Sequence, residues 1–196
     1  MAFSPIHVLK YLLGLEPAST QTTQAERAAV GRYLTGRKCL VEIGVFEGVT
    51  TAAIGRGMDE GAVLYGIDPF FAGRLGVCWG KLIATREVNR ARSRGRVVFL
   101  PKLSYEALSD VPGEVDFVFI DGDHSLAGVT RDWTDWSARI VVGGIIALHD
   151  TRVSIHHPDT AQLGSFAYFE SHIRHDPRFV LLEQVDSLSI LQRKSA

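Results

Sequence analysis

Glu42, Gly44, Gly48 and Asp68 are the residues whose types and spacing first point to chemistry. The run Val41-Glu42-Ile43-Gly44-Val45-Phe46-Glu47-Gly48 reads as a buried strand, a Gly-containing turn and a helix start. Tyr65-Gly66-Ile67-Asp68 reads as the end of the next strand, with a carboxylate placed to accept from both hydroxyls of a ribose. A turn that admits a ligand, followed one strand later by a ribose acceptor, binds a nucleoside.

The elements needed to hold these residues can be read in order. Ile6 to Leu13 is a short N-terminal helix, packed on the rest of the chain or on a second subunit. Thr23-Gln24-Ala25-Glu26 is a capping box that opens a helix, and Gly36 is its expected C-cap. Strands are expected at 38–43, 62–67, 97–100, 115–120 and 145–149, with Gly143-Gly144 as the turn before the fifth. Helices are expected at 48–58, at 81–92 after a long loop at 69–80, and around Phe166 to Ile173. Ser104 is expected to cap a short helix. Leu126, Val129, Trp133, Trp136 and Ile140 recur at helical spacing, so both tryptophans are expected to serve packing or a subunit contact. Strands alternating with helices give a parallel sheet. Phe179–Gln184 and Leu188–Gln192 are joined by a tight turn, so the last strand must run antiparallel.

The ligand follows from what the turn lacks. A dinucleotide fingerprint needs a second glycine two positions after the first, and Phe46 stands there instead. Glu42 would repel a pyrophosphate but attract an ammonium or a sulfonium. The residues therefore suit S-adenosylmethionine better than a dinucleotide.

With these blocks in place, the chain resembles the class I S-adenosylmethionine-dependent methyltransferases over about residues 25 to 193. Two further blocks, Val118 to Ser125 and Gly143 to Asp150, are similar to a small-molecule O-methyltransferase branch that contains macrocin-type sugar enzymes and, more distantly, catechol O-methyltransferase. The resemblance implies an α/β, Rossmann-like fold: a seven-stranded, mostly parallel sheet with an antiparallel last strand and helices on both faces. It implies one methyltransferase domain over residues 1–196, with 1–22 as a helical extension. It places Glu42, Gly44 and Gly48 at the cofactor turn, Asp68 on the ribose, Pro69 and Phe70 near the adenine, and Leu103 and Ser104 flanking it. Asp121 is implied to lie beside the reacting centre. In metal-dependent relatives the residues matching Asp121 and Asp150 hold the ion. Thr151 stands where a third ligand is common, and His149 is the substitute, although strand alternation would turn it to the other face.

Methyl transfer from a sulfonium is an in-line displacement in which the protein aligns the nucleophile and takes its proton. His124 is the expected base. Mg²⁺ on Asp121 and Asp150 is the alternative device, and the two can coexist. Asp123 could equally cap the following helix, and His156-His157 could line the substrate entrance or sit exposed.

Composition narrows the rest. A net charge of −1 gives no steering toward nucleic acid, and the arginines between Arg86 and Arg96 read as a solvated helix end. No Asn/Asp-Pro-Pro-Tyr block of a nucleic-acid methylase follows the fourth strand. The longest uncharged apolar run, Ile140 to Leu148, is too short for a bilayer. Two cysteines, Cys39 and Cys78, and no visible secretory signal fit a reducing cytoplasm. The expected partner is a small-molecule acceptor, a sugar or natural product. The segments that set specificity, 1–22, 70–80 and 151–165, are short, so the pocket is expected to be open or completed in a homodimer. The rival readings are a nicotinamide-dependent oxidoreductase, disfavoured by Phe46 and the antiparallel end, and a non-catalytic cofactor-binding module.

Overall fold

The structure is a computed structural model that describes residues 5–72 and 76–195. Residues 1–4 of the expected extension, 73–75 of the expected long loop, and 196 lie outside the described residues.

The elements follow the expected order. They are α1 (Pro5–Leu12), α2 (Gln24–Gly31), β1 (Cys39–Ile43), α3 (Val49–Gly57), β2 (Val63–Ile67), α4 (Trp79–Ala91), β3 (Arg96–Leu100), β4 (Val115–Ile120), α5 (Leu126–Ser137), β5 (Ile140–Leu148), α6 (Gly164–Ser171), β6 (Phe179–Val185) and β7 (Leu188–Arg193). The sheet order is β3-β2-β1-β4-β5-β7-β6. β1 to β5 pair in parallel, and β7 runs antiparallel to both β5 and β6. The strand order reverses between β1 and β4, where doubly wound sheets open a ligand crevice at the carboxyl ends of their strands.

Two apolar layers sandwich the sheet. On one face Ala29 and Val30 of α2 and Ile54 of α3 pack on Leu40, Leu64, Phe117 and Phe119. On the other, Trp133 and Trp136 of α5 and Phe169 of α6 pack on Val41, Val118, Ile120 and Ile146. Alternation along β4 sends Phe117 and Phe119 one way and Val118 and Ile120 the other. Both tryptophans are core residues. α1 is docked by buried Val8 and Tyr11 against Ile83 of α4, and the Tyr11 hydroxyl donates to Glu87 at 2.7 Å. Arg86 and Arg90 lie over the Tyr11 ring, so part of the arginine run anchors this helix.

Four local expectations are corrected. α2 ends at Gly31 with Arg32 as its right-handed C-cap, so Gly36 (φ +81°) belongs to the following turn instead. Its N–H donates to Asp59 Oδ2 at 2.7 Å. Ser104 caps no helix; its hydroxyl donates to Asp132 of α5. Gly143-Gly144 lies inside β5 rather than before it, because the pairing with β4 shifts between Val115↔Ile140 and Phe117↔Ile145. Ile140 belongs to that strand, not to the helix before it.

Candidate active site

A cavity of about 1300 Å³ opens at the carboxyl ends of β1, β2, β3 and β4. Its walls include Gly44, Val45 and Phe46 after β1, Asp68, Pro69 and Phe70 after β2, Leu103 and Ser104 after β3, and Asp121 and His124 after β4. Ser19, Thr20 and Gln21 of the same chain close another side. Of the residues assigned to the cofactor turn, Glu42 and Gly48 do not line this cavity.

Their positions have clear causes. Gly44 has φ +88°, and a Cβ there would meet the Asp121 carbonyl oxygen at 2.1 Å. Only a glycine lets the ends of β1 and β4 come this close. Gly48 has φ +78°, and its Cβ would meet Ala84 Cα at 2.6 Å, so it serves the contact of α3 with α4. Glu42 is fully buried behind the turn, with neither carboxylate oxygen in a well-formed hydrogen bond among the described residues. Burial first, opposed by the nearby Thr51 hydroxyl and reinforced by Asp121 and Asp68, pushes its pKa up to about 8. A buried acid with no cation among these neighbours suits a cationic ligand, which would draw it back into its charged form.

Asp68 lines the cavity and also holds backbone. Its Oδ2 accepts from the amides of Val45 (3.0 Å) and Phe46 (3.1 Å), and its Oδ1 from Phe70 N–H (2.7 Å). The carboxylate stitches the β1–α3 turn to the loop after β2. About one of its four lone-pair positions is left open. Phe70, at φ +46°, stacks edge-on against Phe99.

Beyond the cavity wall lies a buried charge cluster. His149 is 2% exposed and follows the last residue of β5. Its Nδ1 is 3.1 Å from Asp121 Oδ1 and 3.4 Å from Asp150 Oδ1, and its Nε2 is 3.3 Å from Glu26 Oε2. His149 keeps the strand alternation, following Ile145 and Ala147 on the α2 face, where it meets Glu26, and Asp121 follows Phe117 and Phe119 on that same face. The expected separation of His149 from Asp150 fails because Asp150 adopts φ +54°, and this left-handed step turns its carboxylate back to the His149 ring. Burial alone would lower the His149 pKa, but Asp121, Asp150 and Glu26 overcome it and hold the ring as an imidazolium. Glu26 is also buried, yet its contact with His149, the Thr23 amide and Ser187 holds its pKa well below the usual range. Asp150 is pulled down by His149 in the same way.

His124 is the wall between cluster and cavity. Its Nδ1 is 3.5 Å from Asp150 Oδ2 and its Nε2 3.9 Å from Asp121 Oδ1. The start of α6 fixes this arrangement: Ser165 N–H donates to the His124 carbonyl at 3.2 Å and Ser165 Oγ to the Asp150 carbonyl at 2.8 Å. Asp123 accepts from Ser125 N–H, while Ser125, not Asp123, is the cap of α5. His157 lies 3.9 Å from Asp150, and His156 is exposed. Neither lines the cavity.

Asp121, His124 and Asp150 each place one donor atom within 4.8 Å of the others, and the two carboxylates offer the hard oxygen donors that suit a divalent ion. Thr151 takes no part: it is buried, and its hydroxyl donates to Ser189 Oγ at 2.7 Å and to the Ser187 carbonyl at 3.1 Å.

Glu26 and Ser187 are members of the cluster that the sequence did not announce. Glu26 was legible only as a helix cap, a role it does fill.

The pH dependence of stability follows. A raised His149 pKa contributes stability that is complete below its ordinary value of 6.5 and fades as pH rises above it. The lowered Glu26 contributes fully above its ordinary 4.5 and less as pH falls. Buried Glu42 and Asp132, with raised pKa values, also favour the acid side. In EDTA-containing buffer, the urea midpoint is therefore expected to be higher at pH 5.5 than at pH 8.5. Equal midpoints would contradict a buried imidazolium.

The crevice at the β1/β4 switch point, the Gly44 turn, the Asp68 loop and the antiparallel β7 define a class I methyltransferase, an enzyme class that uses S-adenosylmethionine. A family model described as a methyltransferase domain matches residues 41–151, and the chain belongs to that family. No curated protein sequence matches the chain. Among solved structures, the chain is similar to an O-methyltransferase from Bacillus cereus in complex with SAH. The identity is 20%, 96% of this chain and 90% of that chain are covered, and the TM-score is 0.61. It is similar to the SAH-bound Podospora anserina methyltransferase PaMTH1 at 15% identity, with 100% and 90% covered and a TM-score of 0.64. It is also similar to the O-methyltransferase TomG from Streptomyces achromogenes, involved in tomaymycin synthesis, in complex with SAM. There the identity is 15%, coverage is 100% and 92%, and the TM-score is 0.61. At these identities the likeness establishes the fold. No helix among the described residues is long and apolar enough to cross a membrane.

Proposed function

We propose that this enzyme transfers the methyl group of S-adenosylmethionine to a hydroxyl of a small molecule, with His124 as the base. The observation that carries the reading is His124 itself, which lines the cavity with its Nδ1 3.5 Å from Asp150 Oδ2. In the step, the acceptor oxygen attacks the methyl carbon, the carbon–sulfur bond breaks, and S-adenosylhomocysteine leaves. The acceptor proton passes to His124, and the nearby Asp150 and Asp121 carboxylates stabilise the resulting imidazolium. Alignment of oxygen, methyl and sulfur accounts for the rest of the acceleration.

Asp121 and Asp150 would hold a divalent ion such as Mg²⁺, whose chemistry there is to stabilise the acceptor oxyanion. Gly44, Asp68, Pro69, Phe70, Leu103 and Ser104 would hold the cofactor, with Glu42 behind the turn offsetting its positive charge. Bound S-adenosylhomocysteine or S-adenosylmethionine in the Bacillus and Streptomyces enzymes supports the cofactor, and their O-methyltransferase names support a hydroxyl acceptor.

Calorimetric titration with S-adenosylhomocysteine, with Mg²⁺ and again with EDTA, tests the reading. Micromolar binding, about −8 kcal/mol, is expected. No heat in either buffer would overturn it. Asp68→Ala is expected to weaken that binding by about a hundredfold or more, through the lost ribose acceptor and the loosened turn. Because three backbone amides lose their acceptor, the variant is also expected to be less stable by about 1–3 kcal/mol. Unchanged affinity would remove Asp68 from the ribose.

A further inference from the structure

The segment that joins α1 to α2 borders the cavity. It leaves the turn after α1 at Gly14, whose φ is +75°, and ends at Thr23, the cap of α2. Between them Ser19, Thr20 and Gln21 line the cavity, and all three are exposed. Residues 16–22 form no helix or strand, and they make no backbone-to-backbone hydrogen bond among the described residues. Both ends of this strap are held: α1 by Val8 and Tyr11 on α4, and α2 by its capping box. A segment anchored at its ends and bare of backbone bonds between them belongs to the low end of local stability.

Side chains around one buried carboxylate hold the strap down. Glu47 follows Phe46 of the cavity wall and is 1% exposed. Its carboxylate accepts from the Ser19 N–H and lies 3.1 Å from His7 Nε2. His7 Nδ1 lies 3.1 Å from Glu16 of the strap, whose other oxygen accepts from Lys10. The Ser19 hydroxyl is 3.3 Å from His7 Nε2. His7 thus ties α1, the strap and the β1–α3 turn together. A neutral imidazole has one N–H, and only the charged ring donates to both carboxylates. Glu16 and then Glu47 favour that form and raise its pKa. Thr22 Oγ1, 3.0 Å from Thr50 Oγ1 of α3, is a second pin.

The turn that receives the strap is the one Asp68 holds. Phe46 N–H donates to Asp68 Oδ2, and the next residue, Glu47, receives His7 and Ser19. The ligand contacts and the strap contacts therefore share a few consecutive residues, and what fills the cavity is linked to whether the strap is down.

We propose that residues 15–22 are a lid on the cofactor cavity, latched by His7 between Glu16 and Glu47, and that this lid opens for the nucleoside to enter and leave. This rests on the cofactor reading above and adds to it the segment that controls ligand exchange. Opening of such a lid, rather than chemistry, sets the release rate in many enzymes.

The test measures two quantities on the wild type, His7→Ala and Glu16→Gln. One is the dissociation rate of S-adenosylhomocysteine by stopped flow. The other is amide hydrogen exchange across residues 15–22 with and without that compound. In the wild type the compound is expected to slow this exchange about tenfold or more. His7→Ala is expected to speed dissociation about tenfold and to cancel most of the protection, as the loss of hydrogen bonds to charged groups does. Glu16→Gln removes only the charge on the strap side of the latch. It is expected to shift both quantities in the same direction, which keeps the test decisive if His7→Ala does not fold. A merely structural role for His7 would lower the urea midpoint and leave dissociation unchanged. That result, or exchange across 15–22 that the compound does not slow, overturns the lid while the cofactor reading stands. A wild type that binds no S-adenosylhomocysteine overturns the cofactor reading itself, and the lid with it.

Discussion

His124→Gln is expected to lower kcat about 10²–10⁴-fold, the range a positioned general base supplies. Glutamine keeps a polar group of similar reach at the cavity wall but cannot take a proton at neutral pH. The affinity for S-adenosylhomocysteine is expected to stay within about threefold of wild type, because His124 acts on the acceptor proton and not on the nucleoside. Formation of S-adenosylhomocysteine over a panel of hydroxylated acceptors, with single-turnover kinetics on the best of them, measures both quantities. Unchanged kcat would sink the base assignment. A loss confined to KM would make His124 an acceptor-binding residue instead. If metal bound by Asp121 and Asp150 activates the acceptor without a base, His124→Gln retains most of its rate in Mg²⁺ and loses it in EDTA. The same variant thus separates the two devices.

His149→Ala is expected to cost about 3–5 kcal/mol of stability, the penalty for removing one partner from a buried ion pair. The reason is the company His149 keeps. Asp121, Asp150 and Glu26 all lie within 3.4 Å of its ring, and its removal leaves Glu26 and Asp150 buried, and Asp121 half-buried in the cavity wall, without that cation. Urea unfolding should show a lower midpoint at an unchanged slope. Glu26→Gln in the same background is expected to recover part of the loss, since a neutral amide no longer needs the imidazolium; the coupling between the two sites is read from the double-mutant cycle. A shift within about 0.5 kcal/mol, the range of ordinary surface substitutions, would show that the ring is neutral and the carboxylates are satisfied elsewhere.

Both variants depend on a geometry only part of which could be read in the chain. Asp121 and His124 follow the apolar run Val115–Ile120, and that run ends as a buried strand must, at the carboxyl edge of the sheet. The hydrophobic pattern thus shows that they follow a strand end, and the family resemblance implies that Asp121 there lies beside the reacting centre. Asp68 was available in the same way, but its three bonds to backbone amides were not, because two of them come from a turn more than twenty residues earlier. Ser104 reads locally as a helix cap, and the competing partner that takes its hydroxyl, Asp132, is 28 residues away. Gly143-Gly144 reads as a turn, and it is held inside β5 as an irregularity between the β4 pairings of Ile140 and Ile145.

The succession of strands and helices along the chain, the direction of the final strand, and the glycine turn that suits a nucleoside without pyrophosphate are all legible in the residues alone. These follow from local rules: apolar periodicity, capping chemistry, and the length of chain needed to join two strands. Which charges meet emerges only once the chain is folded. Glu26 and His149 are 123 residues apart, and nothing in either neighbourhood announces the other. The left-handed step at Asp150 turns its carboxylate back toward His149, and Ser165 of α6 holds the Asp150 carbonyl. Charge pairing acts through space at a few ångströms, and distance along the chain does not enter it.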